Sequence, residues 1–168
     1  MTAGADTTLP TARGANRRRL TAALGAASVA GVDLSAKAWA AMALQDRVIG
    51  MGPVDLRLGY NSGVAFSLGA DAPAWVVLAV TATITFAVGV VAWRMAPSGS
   101  WLRLSALTLI LGGAIANVLD RAGDGVVTDY LHTGWWPTFN LADVAIVTGA
   151  VVVALSTLRE PAPAAAGG

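Results

Sequence analysis

From Ala72 to Trp93 the chain carries no Asp, Glu, Lys or Arg, and the run is long enough for a helix to cross a ~30 Å hydrocarbon layer. Such a segment needs either a large protein core or a lipid surround. A chain of 168 residues offers little of the first, and only 12% of its residues are charged, where a soluble domain carries roughly a quarter. Three further apolar stretches repeat the pattern. The expected fold is a membrane all-α bundle of four transmembrane helices at about residues 20–44, 72–95, 101–119 and 141–158, with a disordered cytoplasmic tail over 1–19, an outer loop over 45–71 and a C-terminal tail over 159–168. Collagen, coiled coil and disordered polymer are excluded by the same pattern.

The few charges are unevenly placed. With the N-terminus inside, Arg13, Arg17, Arg18, Arg19, Arg94, Arg103 and Arg159 fall on the cytoplasmic side and only Arg47, Arg57 and Arg121 on the outer side, so both ends lie in the cytoplasm. Asp46, Asp55, Asp71, Asp120, Asp124, Asp129 and Asp143 do the reverse, in or beside the outer half. A formal net charge of +1 argues against a nucleic-acid binder, which needs a surplus of Lys and Arg to displace counterions. The absence of cysteine removes disulfides, thiolate nucleophiles and Cys-type zinc sites. A cleaved signal peptide over 20–44 is disfavoured, because Asp33 and Lys37 interrupt the apolar core and the stretch exceeds the ~7–15 residues such a core needs.

Asp33 and Lys37, four residues apart on one helix face, can neutralise one another in lipid. A structural ion pair leads over a substrate-facing patch. In the outer loop, Val54, Leu56 and Leu58 alternate with Asp55 and Arg57, which predicts strands and a small extracytoplasmic β-sheet between helices 1 and 2, with a polar edge that could receive an extended peptide. Gly112-Gly113-Ala114 lets another helix approach closely. Asp120 and Arg121 read first as the end of a span, whereas Asn117, one turn further in, needs a polar partner.

Asn140 followed by Asp143 reads as a helix N-cap with an acidic third position. That accounts for Asp143 and leaves Asp129, alone in the apolar sextet from Val126 to Leu131, without a structural reason. Two carboxylates held close share a proton, and such a pair can hydrolyse a peptide: the ionised member takes a proton from water while the protonated one polarises the carbonyl. Asp143, in the first turn of its helix, is the expected base, and Asp129, in apolar surroundings, the expected acid. Other routes are poorly provisioned. His132 is the one histidine, and no His-x-x-x-His or Glu-x-x-His spacing offers a metal site, so neither metal nor cofactor is expected. Trp135 and Trp136 read as interfacial anchors.

The order Asp33-x-x-x-Lys37, Asn61-x-Gly63-x-Ala65-Phe66, Asn117-x-x-Asp120-Arg121, Val127-x-Asp129-Tyr130 and Phe139-Asn140-x-Ala142-Asp143, set on four spans, resembles the bacterial lipoprotein signal peptidases (signal peptidase II). The likeness covers about residues 20–158. It implies an aspartic endopeptidase of the cytoplasmic membrane, with its active site near the outer leaflet, that cuts prolipoproteins on the amino side of a diacylglyceryl-modified cysteine. Asp129 and Asp143 would be the catalytic dyad. Asn117, Arg121 and Asn140 would position substrate and carboxylates, with Asp33, Lys37, Asn61, Gly63, Phe66, Asp120 and Ala142 lining or supporting the site. The implied partners are lipidated prolipoproteins, membrane lipid and the cyclic peptide inhibitor globomycin, and the protein would act as a monomer. One departure is Ala116, where the family usually has Gly before the motif's Asn. A small transporter would spread polar groups through the full membrane depth. A membrane scaffold would give no reason for two carboxylates at the interface.

Overall fold

The computed structural model describes residues 12–63 and 72–158. Among the described residues four helices, α1 (Ala12–Ala43), α2 (Ala74–Met95), α3 (Trp101–Asp124) and α4 (Leu141–Leu158), carry three short strands between them: β1 (Ile49–Gly50), β2 (Asp55–Asn61) and β3 (Val127–His132). By length and composition α2, α3 and α4 can each cross a membrane. Their large apolar side chains face outward, Phe86 and Trp75 among them, as lipid-facing residues do. α1 is longer and less apolar, because Asp33 and Lys37 sit within it and Arg17, Arg18 and Arg19 are on its opening turns. Ala12 to Arg19, expected in a disordered tail, are therefore helical; the remainder of that tail and the C-terminal tail lie outside the described residues.

α3 is the centre of the bundle, packed against α4, α1 and α2. Small residues make this possible. A Cβ on Gly112 would stand 2.7 Å from the Ala26 carbonyl oxygen, one on Gly113 2.4 Å from that of Ala142, and one on Gly149 2.5 Å from that of Ala106. The close approach expected of Gly112-Gly113-Ala114 thus brings α1 to one side of α3 and the start of α4 to the other.

The sheet differs from its expected place. β1 and β2 do lie between α1 and α2, but the third strand is β3, from between α3 and α4, and the order is β1-β2-β3 with antiparallel pairing throughout. Gly59 stands opposite Asp129, and Asn61 opposite Val127. The sextet around Asp129 lacks period-two alternation because this strand is buried on both faces at its start. α3 also runs beyond the expected end at 119, so Asn117, Asp120 and Arg121 lie within the helix. It stops at Gly125, whose φ of 90° is left-handed and easy only for glycine, and whose N–H donates to the Arg121 carbonyl at 2.8 Å. That turn aims the chain into β3.

Candidate active site

α3, β3 and the start of α4 converge on two carboxylates. Asn140, fully buried, joins them. Its Oδ1 accepts the Asp143 N–H at 2.9 Å, and Asp143 Oδ2 accepts the Asn140 N–H at 3.2 Å, a reciprocal cap of α4. With Oδ1 committed to the helix, the amide nitrogen points the other way and donates to Asp129 Oδ1 at 2.7 Å. The cap that accounts for Asp143 in structural terms therefore also sets its geometry toward Asp129.

A polar chain continues behind Asp143. Asn117 Nδ2 donates to Asp143 Oδ1 at 2.9 Å, and Asn117 Oδ1 accepts from Lys37 Nζ at 2.6 Å. Lys37, 3% exposed, also pairs with Asp33 at 2.9 Å and Asp120 at 3.2 Å. Buried charges persist when paired and hydrogen-bonded, and here the ammonium holds one oxygen from each of three side chains. Asp33 Oδ1 accepts the Ala142 N–H at 2.9 Å, and Asp120 Oδ2 accepts the Thr128 N–H at 2.7 Å. Asp33 and Lys37 thus form a buried ion pair that also holds the start of α4 and the Asn117 side chain. Asp120 likewise ties β3 to α3.

On the opposite side, Arg121 donates to the carbonyls of Asn61 (3.2 Å) and Gly63, clamping the end of β2. Asn61 Oδ1 accepts the Gly63 N–H at 2.9 Å. The expected site residue Phe66 lies outside the described residues.

These groups open onto a cavity of about 570 Å³. Asn61, Gly63, Asn117, Arg121, Asp129 and Asp143 line its polar end, while Asp33, Lys37, Asp120, Asn140 and Ala142 stand behind the wall. The other end is an apolar slot between α2, α3 and α4, walled by Ile84, Val88, Ile110, Ala114, Ile146 and Val147, with Thr81 and Thr85 beside them. Trp136 lines the cavity, and Trp135 meets it edge-on at 5.5 Å while remaining largely exposed. The α2 residues Thr81, Ile84, Thr85 and Val88 were not singled out from the sequence, although their helical spacing places them on one face, and Trp136 was read as an interfacial anchor rather than as a cavity residue. His132 is not among the lining residues and stands across the sheet from Asp55.

The environment of Asp129 is unequal to that of an ordinary carboxyl. Burial, and then the charge of Asp143, push its pKa up to about 7, against the opposing hydrogen bond from Asn140, the charge of Lys37 and the hydrogen bond from Asn61. A carboxyl that titrates near neutrality beside one that receives an amide donor and stands at a helix N-terminus is a pair able to give and take protons at once. Among the described residues no group of His, Cys, Asp and Glu could hold a metal.

The family model for signal peptidase (SPase) II matches residues 25–159. The lipoprotein signal peptidase of Paraburkholderia phytofirmans is 44% identical over 111 residues, which span 63% of this chain and 64% of that protein. That of Xanthomonas campestris pv. campestris is 36% identical over 149 residues, 80% of this chain and 86% of the relative. Two solved structures, each described as a bacterial membrane enzyme determined by the in meso method, superpose with TM-scores of 0.71 and 0.72. They are 19% and 22% identical, covering 85% and 84% of this chain and 94% of each neighbour, and so speak for the fold.

Proposed function

This chain belongs to the signal peptidase II family of aspartic endopeptidases, and from that premise we propose that it removes signal peptides from lipoproteins during their maturation, with Asp129 and Asp143 as the catalytic dyad. The observation that carries the assignment is the placement of both carboxylates on one cavity wall, linked through Asn140, at the mouth of an apolar slot.

In the resting enzyme Asp143 is the ionised base and Asp129 the protonated acid. Asp143 takes a proton from the attacking water and Asp129 hydrogen-bonds the scissile carbonyl oxygen; the tetrahedral intermediate collapses as the departing amine is protonated. No covalent acyl-enzyme forms. The slot between α2, α3 and α4 accommodates the apolar part of a diacylglyceryl-modified precursor, and the scissile bond lies on the amino side of its lipidated cysteine. Globomycin competes for the same cavity.

α1 is the fourth span. At 1.5 Å per residue its 32 residues exceed a ~30 Å hydrocarbon layer, and its two interior charges face the bundle rather than lipid. Trp93 and Trp101, each under an arginine of α1 at 4.5 Å and 4.4 Å, mark the cytoplasmic interface; Trp39, Trp75, Trp135 and Trp136 mark the outer one, where the dyad lies. Both termini are cytoplasmic, and the enzyme works as a monomer in the cytoplasmic membrane.

The test is cleavage of a lipidated prolipoprotein by purified protein in detergent, comparing wild type with Asp129→Asn and Asp143→Asn. Both substitutions abolish cleavage while the protein stays folded; retention of cleavage in both would remove the dyad. Equal cleavage of an unlipidated precursor would remove the substrate assignment.

A further inference from the structure

One buried group beside the dyad has no part in the chemistry above: the hydroxyl of Tyr130. We infer that Tyr130 is a positioning residue, whose hydroxyl caps α4 from strand β3 and so fixes the helix that carries Asp143 relative to the strand that carries Asp129. The inference rests on the dyad reading above.

A helix opens with amide N–H groups that its own backbone cannot satisfy. In α4 the first three belong to Leu141, Ala142 and Asp143, and each finds a different acceptor. The Leu141 N–H donates to the Tyr130 hydroxyl at 3.3 Å, the Ala142 N–H to Asp33 Oδ1 at 2.9 Å, and the Asp143 N–H to Asn140 Oδ1 at 2.9 Å. Only the last is the helix's own cap. The other two come from β3 and α1, so the depth and rotation of α4 are referenced to those elements. The Tyr130 hydroxyl in turn donates to Asp33 Oδ1 at 3.4 Å, which makes the two external caps one unit.

Tyr130 is 4% exposed, with its ring in a cluster with Ala40 and Leu44. The ring's packing therefore decides where the hydroxyl stands. Successive side chains of a strand point to opposite faces: Asp129 lines the cavity and Tyr130 turns away from it, toward α1 and the base of α4. Two adjacent residues thus present one carboxylate and hold the root of the helix that presents the other. Small misplacements of a catalytic group are costly, since a shift of about 1 Å can cost roughly 10²-fold in rate.

Tyr130→Phe keeps the ring and removes only the hydroxyl. In the full-length protein in detergent, with a lipidated prolipoprotein as substrate, kcat falls about tenfold while KM stays within about twofold, as expected when one neutral hydrogen bond that orients the reacting groups is lost. Hydrogen exchange at the Leu141 amide accelerates by about the same factor, and the rest of the bundle keeps its protection. A kcat within about twofold of wild type overturns the inference, whatever Leu141 does. A fall in kcat with Leu141 protection unchanged, or one that accompanies loss of protection throughout the bundle, overturns it too, because the effect then does not pass through the start of α4. Asp129→Asn, assayed in parallel, separates the two readings: cleavage by that variant sinks the dyad, whereas its inactivity beside a fully active Tyr130→Phe sinks only the role of Tyr130.

Discussion

At the scale of single residues, the titration of Asp129 bears on stability and, through the proposed dyad, on activity. Its carboxyl titrates at about 7 in the folded protein, against 3.8 for an unperturbed aspartate, so between those values the folded state holds a proton that the unfolded state has released. Stability therefore falls as pH rises from about 4 to about 7 and loses nothing further from this group above it. Asp129→Asn removes that penalty. The variant is expected to melt higher than wild type at about pH 8, with the difference vanishing toward pH 4, as thermal unfolding in detergent at several pH values will show. On the proposed role of Asp129 as the acid, the same titration sets the alkaline limb of activity: kcat/KM is expected to decline as pH rises through about 7, as the group that would polarise the carbonyl loses its proton. A rate that stayed flat from pH 6 to pH 9 would contradict the assignment of Asp129 as acid. That Asp129 was the anomalous carboxylate was legible in the sequence, from its isolation in an apolar sextet. Tyr130 was not, since a tyrosine in such a run reads as core until its hydroxyl is seen between Asp33 and Leu141.

At the scale of elements, what places Asp143 is the contact between α3 and the start of α4. Gly113 permits it, because a Cβ there would meet the Ala142 carbonyl oxygen at 2.4 Å. Gly113→Ala is expected to destabilise the protein by about 1–3 kcal/mol and to depress cleavage beyond its effect on the folded fraction, because the displaced backbone is that of the residue next to Asp143. Melting and cleavage measured on the same preparation check both parts; activity unchanged per folded molecule would show that the helix start has not moved. The helices were readable because an apolar run of spanning length has few other uses, and α4 begins at Leu141 and continues to the last described residue, Leu158. β3 was not readable as a strand, because its membership in the sheet depends on pairing with β2, Asn61 to Val127, at a sequence distance no local pattern reports. The reading of Asn140 and Asp143 as a helix cap was correct as far as it went; it could not say that the cap's spare amide nitrogen would reach Asp129.

At the scale of the whole molecule, the absence of cysteine makes topology directly testable. Met51→Cys, beside β1, and Ser98→Cys, in the turn between α2 and α3, are both exposed positions on opposite ends of the bundle. In intact spheroplasts a membrane-impermeant thiol reagent is expected to label the first and to reach the second only after permeabilisation; the opposite pattern would invert the orientation. The three-stranded sheet has a consequence in time as well as in space. Its middle strand is made early and its last strand late, and the second carboxylate arrives later still, at the head of the final helix. On the proposed dyad, a growing chain lacks its second carboxylate until the first turn of α4 has been made. Hydrolysis would then switch on only when α4 seats, and a product stalled before it would be inert toward the membrane in which it is stranded.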